Sequence, residues 1–290
     1  MGVAVTLGEG GTPLLPGPRL AEGLGCELWL KWEGANPTGS FKDRGMTVAV
    51  SRALEQGAPG IVCASTGNTA ASAAAYAARA GLPAVIVLPA GAVARGKLAQ
   101  AVAAGAELRE VDGSFEEAHR IARRLAEDEG WVNVNSINPD RIEGQASAAG
   151  EIVEQLGKLP DVVALPYGGG GNTCAYVRGF EQAGAGRPRL LAVQAAERVS
   201  TFASAIRIVE PVHRERAEAA AEVVTVGEEE LAEWWRAIAR LEGLFCEPAS
   251  AAGVAGVARV RPAGTVVCVL TGHGLKDPDA VSSHLASQDG

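Results

Sequence analysis

The stretch IVCASTGNTAASAAAYAARAGLPAVIVLP, residues 61–89, contains a strand, a polar loop, a helix and a second strand. Residues 61–65 begin with a short apolar run of the kind buried on both faces of a parallel sheet. Alanine dominates 69–80 and is the strongest helix former. Gly81 then supplies the residue that most often closes a helix. Residues 84–88 return to an apolar run. A strand–helix–strand unit of this length makes a right-handed crossover between parallel strands. The same alternation continues along the chain. Strands are expected at 107–111, 132–134, 162–166, 190–194 and 265–270, and helices at 97–104, 115–128, 143–156 and 228–241. Ser114, with Glu117 three residues on, forms a capping box. Gly105, Gly157 and Gly243 follow the other three helices. In 228–241, Leu231, Trp234, Trp235, Ile238 and Leu241 share one face, an apolar stripe that reads as core packing. This rhythm predicts an α/β fold with parallel sheets covered by helices. No internal repeat or Ser/Pro linker divides the chain, so two domains would be interwoven rather than serial. Residues 207–223 are charged and irregular, and are the expected flexible segment.

Composition narrows the function. The chain carries 26 basic against 34 acidic residues, a net charge of −8, with no long Lys/Arg run. Charge-driven nucleic-acid binding is therefore not expected, and 4% aromatic residues give little base-stacking surface. The five cysteines (Cys26, Cys63, Cys174, Cys246, Cys268) are odd in number and contain no C-x-x-C. They read as buried reduced thiols rather than as disulfides or a structural zinc site, and no metal is expected. The most apolar segment, 70–94, is interrupted by Arg79, Gly81, Pro83 and Pro89, so it reads as helix–turn–strand and not as a membrane span. No signal peptide is visible, which predicts a cytoplasmic location. Glycine is abundant, 37 residues with several clustered, and these clusters direct attention to the loops.

In parallel α/β sheets, ligands sit beyond the carboxyl ends of the strands. Three loops at such ends are rich in small polar residues. Ser65-Thr66-Gly67-Asn68-Thr69 offers hydroxyls, an amide and the free N–H groups of a helix start, which suit a carboxylate. An ordinary N-cap is the plainer alternative. Gly168-Gly169-Gly170-Gly171-Asn172 lets backbone wrap closely round a phosphate at the next helix N-terminus. It is neither a dinucleotide fingerprint nor a P-loop, and a flexible turn is the alternative. Thr271-Gly272-His273-Gly274-Leu275-Lys276 places a hydroxyl just past a strand, where it could meet a cofactor ring atom. Upstream, Asn36-Pro37-Thr38-Gly39-Ser40-Phe41-Lys42-Asp43-Arg44-Gly45 sets a lysine in a turn leading into a helix. The field of a helix N-terminus disfavours the charged ammonium, and an activated lysine forms a Schiff base with a carbonyl. A phosphate cradle and an activated lysine together suggest a phosphorylated cofactor or substrate, with pyridoxal 5′-phosphate needing both.

These motifs, in this order, resemble the β-family (fold type II) of pyridoxal-phosphate enzymes, and within it the threonine synthase family. The resembling blocks are Gly11-Thr12-Pro13-Leu14, residues 36–46, 65–78, 135–139, 141–145, 168–172, 242–251 and 271–277. They span most of the chain from Gly10 to Pro278. The resemblance implies two interwoven three-layer α/β domains with mostly parallel sheets, like the β subunit of tryptophan synthase. Residues 1–46 with 139–290 would form a larger cofactor-binding domain, and 47–138 a smaller inserted one. Lys42 would hold the cofactor and later move protons. Asn68 would bond its 3′-oxygen, and Gly168, Gly169, Gly170, Gly171 and Asn172 would cradle its phosphate. Thr271 would meet the pyridine nitrogen, a neutral partner implying a largely unprotonated ring. Ser65, Thr66 and Thr69, with Asn68, would grip the substrate carboxylate, and Asn135, Ser136 and Arg141 the phosphate of a phosphorylated amino-acid substrate. The implied reaction converts O-phospho-L-homoserine and water to L-threonine and phosphate, in a homodimer. Gly169 departs from the pattern, because close relatives read Gly-Asn-Ala-Gly-Asn at this loop and the Asn would touch the substrate phosphate. The stretch between Gln194 and Ile208 is also compressed. Two other readings stay open: a related β- or γ-elimination or replacement enzyme, such as a threonine/serine dehydratase, and a catalytically silent pyridoxal-phosphate-binding paralogue.

Overall fold

A computed structural model describes residues 5–91, 98–184, 186–196, 202–208 and 210–277. The chain divides into two units, a smaller one of residues 5–10 and 36–145 and a larger one of 11–35 and 146 onward. The larger unit opens with β1 (Leu14–Pro16), α1 (Pro18–Leu24) and β2 (Glu27–Trp32). The smaller follows with α2 (Lys42–Glu55), β3 (Ile61–Ala64), α3 (Asn68–Ala80), β4 (Ala84–Pro89), α4 (Ala99–Ala103), β5 (Glu107–Val111), α5 (Phe115–Glu129), β6 (Val132–Asn133) and α6 (Pro139–Gln145). The larger resumes with α7 (Ser147–Leu156), β7 (Val162–Pro166), α8 (Gly171–Ala183), β8 (Arg189–Ala195), α9 (Arg214–Glu218), β9 (Glu222–Val226), α10 (Glu228–Glu242), α11 (Ala252–Val260) and β10 (Thr265–Leu270).

The smaller unit is built on four parallel strands in the order β5-β4-β3-β6. Alternate residues of β3 and β4 face opposite ways. Ile61, Cys63 and Ile86 pack with Met46 and Val50 of α2 and Ala73 of α3, while Val62, Val85 and Val87 pack with Ala118 and Ala122 of α5. Both faces are covered, which explains why these strands are apolar throughout. The larger unit has six strands, β1-β2-β10-β7-β8-β9, all parallel except the β1–β2 pair. Its sheet packs α10 and α11 on one face (Trp235, Ile238, Val254, Val257) and α7 and α8 on the other (Ile152, Tyr176, Phe180). Each unit is a three-layer α/β sandwich, and the fold is the expected α/β class.

Two expectations need correction. The single helix over 143–156 is two helices meeting at Ala146, where the chain passes from the smaller to the larger unit. Residues 207–223 hold α9 and the start of β9, an edge strand paired in parallel with β8. Lys97 of the expected helix 97–104 and residues 197–201 of the compressed stretch lie outside the described residues. The cysteines are all free, four buried and Cys26 half-buried. Among the described residues no helix is long and apolar enough to cross a membrane.

Candidate active site

In the smaller unit, Lys42 is the first residue of α2. The chain reaches it through a turn in which Gly39 donates its N–H to the Asn36 carbonyl at 2.8 Å. Gly39 has φ +87°, a left-handed value that favours glycine. Asp43 is completely buried and accepts three hydrogen bonds, from Thr38 N–H (2.7 Å), Thr38 Oγ1 (2.6 Å) and Ser72 Oγ of α3 (2.6 Å). One carboxylate thus pins the turn before Lys42 and ties α2 to α3, at a helix start where negative charge is favoured. Lys42 Nζ lies 4.5 Å from the Phe41 ring centroid. Two residues before it, Ser40 Oγ is buried without a hydrogen-bond partner.

Ser65 follows β3. Its Oγ accepts from Gly67 N–H (3.3 Å) and Ala70 N–H (3.2 Å), so it caps α3. Thr66, Asn68 and Thr69 are half-buried, and a Cβ built on Gly67 would meet nothing within 4 Å. The loop is thus partly exposed at a helix N-terminus, with open space beside Gly67. Asn135 continues the sheet past β6. Its Oδ1 accepts from Ala64 N–H at 2.9 Å and its Nδ2 donates to Ala64 O at 2.8 Å, which fixes the residue from which the loop departs. Ser136 is half-buried beside it in sequence. Arg141, in α6, is 1% exposed. Its Nη1 donates to Val134 O at 2.7 Å, while Nε and Nη2 are buried and hydrogen-bonded to nothing. Gly45 makes room for it, since a Cβ there would lie 2.8 Å from Arg141 Nε. Gly45 is three residues along α2 from Lys42, so the guanidinium packs about one helical turn from the lysine position. Burial pulls the Arg141 pKa down to about 10, opposed by Cys63 and Asp43, so the side chain stays cationic at neutral pH.

In the larger unit, β7 leads into the glycine loop and α8. Gly170 has φ +84° and caps α8 with no side-chain hydrogen bond. A Cβ on Gly168 would come to 3.2 Å from Ala205 O and Ile208 Cδ1, and one on Gly170 to 3.2 Å from His213 and Ala217. His213 N–H also donates to Gly169 O at 3.0 Å. The loop is thus held from behind by Ala205, Ile208, His213 and Ala217. Asn172 Nδ2 and Thr173 Oγ1, in the first turn of α8, are buried without partners. A 13-residue helix start with no protein cap and two idle polar groups suits a phosphate, and leaving them unpaired is costly. Past β10, Thr271 is buried. Its Oγ1 donates to Glu247 Oε1 at 3.0 Å and lies 3.1 Å from Ser250 Oγ. The donor set fits pyridoxal 5′-phosphate.

Sequence reasoning assigned no role to Ser40, Asp43, Thr173, Glu247 or Ser250. Ser40 and Asp43 stood inside the quoted lysine motif, and Thr173 one residue past the glycine loop. Glu247 and Ser250 are 24 and 21 residues from Thr271, so no local pattern links them to it.

The family described as pyridoxal-phosphate dependent enzyme matches residues 5–272, and the chain belongs to it. It is a lyase of that family, with pyridoxal phosphate as cofactor. Among its relatives, the threonine synthase of Halalkalibacterium halodurans is 48% identical over 96% of this chain and 86% of its own length. The threonine synthase of Synechocystis sp. is also 48% identical, over 98% and 81%. Among solved structures, the processed form of threonine deaminase isoform 2 from Solanum lycopersicum superposes with a TM-score of 0.84 at 22% identity, over 96% of this chain and 84% of that one. This last likeness is one of fold.

Proposed function

We propose that this chain is a threonine synthase, converting O-phospho-L-homoserine and water to L-threonine and phosphate. The observation that carries the phosphorylated substrate is Arg141, a fully buried guanidinium with Nε and Nη2 idle, packed on the helix that Lys42 begins. A guanidinium fork suits a phosphate dianion, because two parallel N–H groups bind two oxygens at once. The threonine synthase relatives support the same reading.

When bound, pyridoxal 5′-phosphate supplies an electron sink that acidifies the carbon next to the substrate amine. Lys42 Nζ would hold the cofactor, then take the proton from the substrate Cα and return protons later. The α8 start, with Gly168 to Asn172, would bind the cofactor phosphate, Asn68 its 3′-oxygen and Thr271 its ring nitrogen. Ser65, Thr66, Asn68 and Thr69 would hold the substrate carboxylate. Asn135 retains one amide hydrogen beyond its two bonds to Ala64, and with Ser136 and Arg141 it would hold the γ-phosphate. In the net reaction the Cγ–O bond breaks and phosphate leaves, Cβ gives up one proton and takes the hydroxyl of water, Cγ gains a proton, and the other proton of water ends on the phosphate. The reading extends to a cytoplasmic homodimer, supported by five free thiols and by the family resemblance.

Gly169 favours a second reading, because a residue with no side chain there can offer the substrate phosphate only its backbone. A substrate panel separates the two. Phosphate release from O-phospho-L-homoserine, without ammonia release from threonine or serine, is the expected result. Ammonia release alone would make the chain a dehydratase. Lys42→Ala should abolish the near-visible absorbance of the holoenzyme and all turnover.

A further inference from the structure

We propose that Tyr167 and Glu218 are positioning residues for the cofactor phosphate: their hydrogen bond fastens α9 against the glycine loop and holds that loop in its binding shape before the phosphate arrives. The proposal rests on the reading of Gly168 to Asn172 as the phosphate cradle.

Four successive glycines have the greatest backbone freedom a chain can have, and a ligand that must order them loses affinity to that entropy. A loop that is already ordered avoids the loss. Glycine brings no side chain, so the order has to come from neighbouring residues. Tyr167 stands directly before the first glycine. Its N–H donates to Val193 O at 2.7 Å, which carries the β7–β8 ladder to the edge of the loop. On the other side, His213 N–H donates to Gly169 O at 3.0 Å, and His213 and Ala217 stand 3.2 Å from the place a Cβ on Gly170 would take. His213 immediately precedes α9, and Ala217 lies within it, completely buried.

α9 has only five residues, too few to hold a helix by themselves. Its last residue is where the two supports join, for Tyr167 Oη donates to Glu218 Oε1 at 3.0 Å. Tyr167 is 1% exposed, so this bond is made from a ring locked in the core. Arg214 Nε lies 3.2 Å from the same Glu218 oxygen and offsets a negative charge that would otherwise oppose a phosphate. The contacts close a ring: β7 to Tyr167, Tyr167 to Glu218, α9 to Gly169 and Gly170, and the glycines back to Tyr167. What the ring presents is the start of α8, where Asn172 Nδ2 and Thr173 Oγ1 are buried without partners and no side chain caps the helix. The loop is therefore held beside donors that no protein group uses.

The test compares pyridoxal 5′-phosphate with pyridoxal, which has the same ring and aldehyde but no phosphate. Each is titrated into cofactor-free protein and followed by the near-visible band. Wild type should bind the phosphorylated form far more tightly. Tyr167→Phe, which keeps the ring, and Glu218→Ala should each weaken that form about tenfold, the effect of one hydrogen bond to a charged group, and change pyridoxal affinity less than about twofold. Glu218→Gln keeps an acceptor for the hydroxyl and should stay near wild type. Combining Tyr167→Phe with Glu218→Ala should weaken binding no further than either alone, because both remove one contact. In the holoenzyme, the phosphorus-31 signal of the bound cofactor should shift or broaden in Tyr167→Phe and not in Glu218→Gln. Glu218 is half-buried, so its variants decide the matter even if Tyr167→Phe fails to fold. Unchanged affinity for the phosphorylated form in either variant overturns the proposal, and so does an equal loss for pyridoxal, the mark of a general loosening of the larger unit. Failure of the cradle reading itself looks different: wild type would not distinguish the two ligands.

Discussion

Asp43 shows how much depends on one side chain. Three donors converge on its carboxylate, and they come from the turn before Lys42 and from α3, which carries Asn68 and Thr69. Asp43→Asn would turn an amide N–H toward one of those donors, so chemical denaturation should show a loss of about 1–3 kcal/mol. Ser72→Ala removes one bond and should cost about 1 kcal/mol. Arg141 calls for a different readout. Arg141→Lys keeps a charge but loses the planar fork, so kcat/KM for O-phospho-L-homoserine should fall about 10- to 100-fold. Affinity for pyridoxal 5′-phosphate, followed by absorbance titration, should not change, and a parallel loss of cofactor would place Arg141 in the wrong subsite.

At the scale of elements, the buried parallel strands were readable because their apolar runs are short and rich in β-branched residues, which separates them from a buried helix. β3, β4, β7 and β10 fall within a residue of their expected bounds at either end. Helices that end in left-handed glycine were equally plain, as at Gly81, Gly157 and Gly243. α11 was not readable. Its sequence AGVAGVARV is apolar nearly all round, so it shows no amphipathic period. Its glycines serve contact instead, for a Cβ on Gly256 would come to 2.4 Å from Val193 Cγ2 and one on Gly253 to 2.9 Å from Ala164 O. β2 and β9 were missed because their polar residues break the apolar run. Of the site, the glycine loop, the lysine and the polar turn after β3 announced themselves by composition. The Glu247–Thr271 pair did not, because only the fold brings those positions together. The same close packing appears where α6 meets α2. A Cβ on Gly144 would lie 2.0 Å from Arg44 O, so Gly144→Ala should destabilise the protein by about 3 kcal/mol and lower its thermal midpoint.

At the scale of the whole molecule, four of the five thiols are buried and only Cys26 is half-buried. Burial pushes the Cys63 thiol up to about 12 and raises Cys246 and Cys268 as well. A bulky thiol reagent should therefore label the native protein at Cys26 alone and reach all five after unfolding. Labelling of Cys63 under native conditions would contradict the packing of β3. The chain order of the larger sheet carries a further consequence. β2 is made early, yet its parallel neighbour is β10, with Glu27 and Thr265 bonded across 238 residues. On the ribosome, the smaller unit has all its strands once residue 145 has emerged and can fold during synthesis. The larger sheet must wait, with β2 paired only to the short β1, until translation is almost finished. Such long-range pairing is slow and leaves apolar strands exposed meanwhile. A nascent chain stalled between these points should bind chaperones through the larger unit while the smaller one already resists protease.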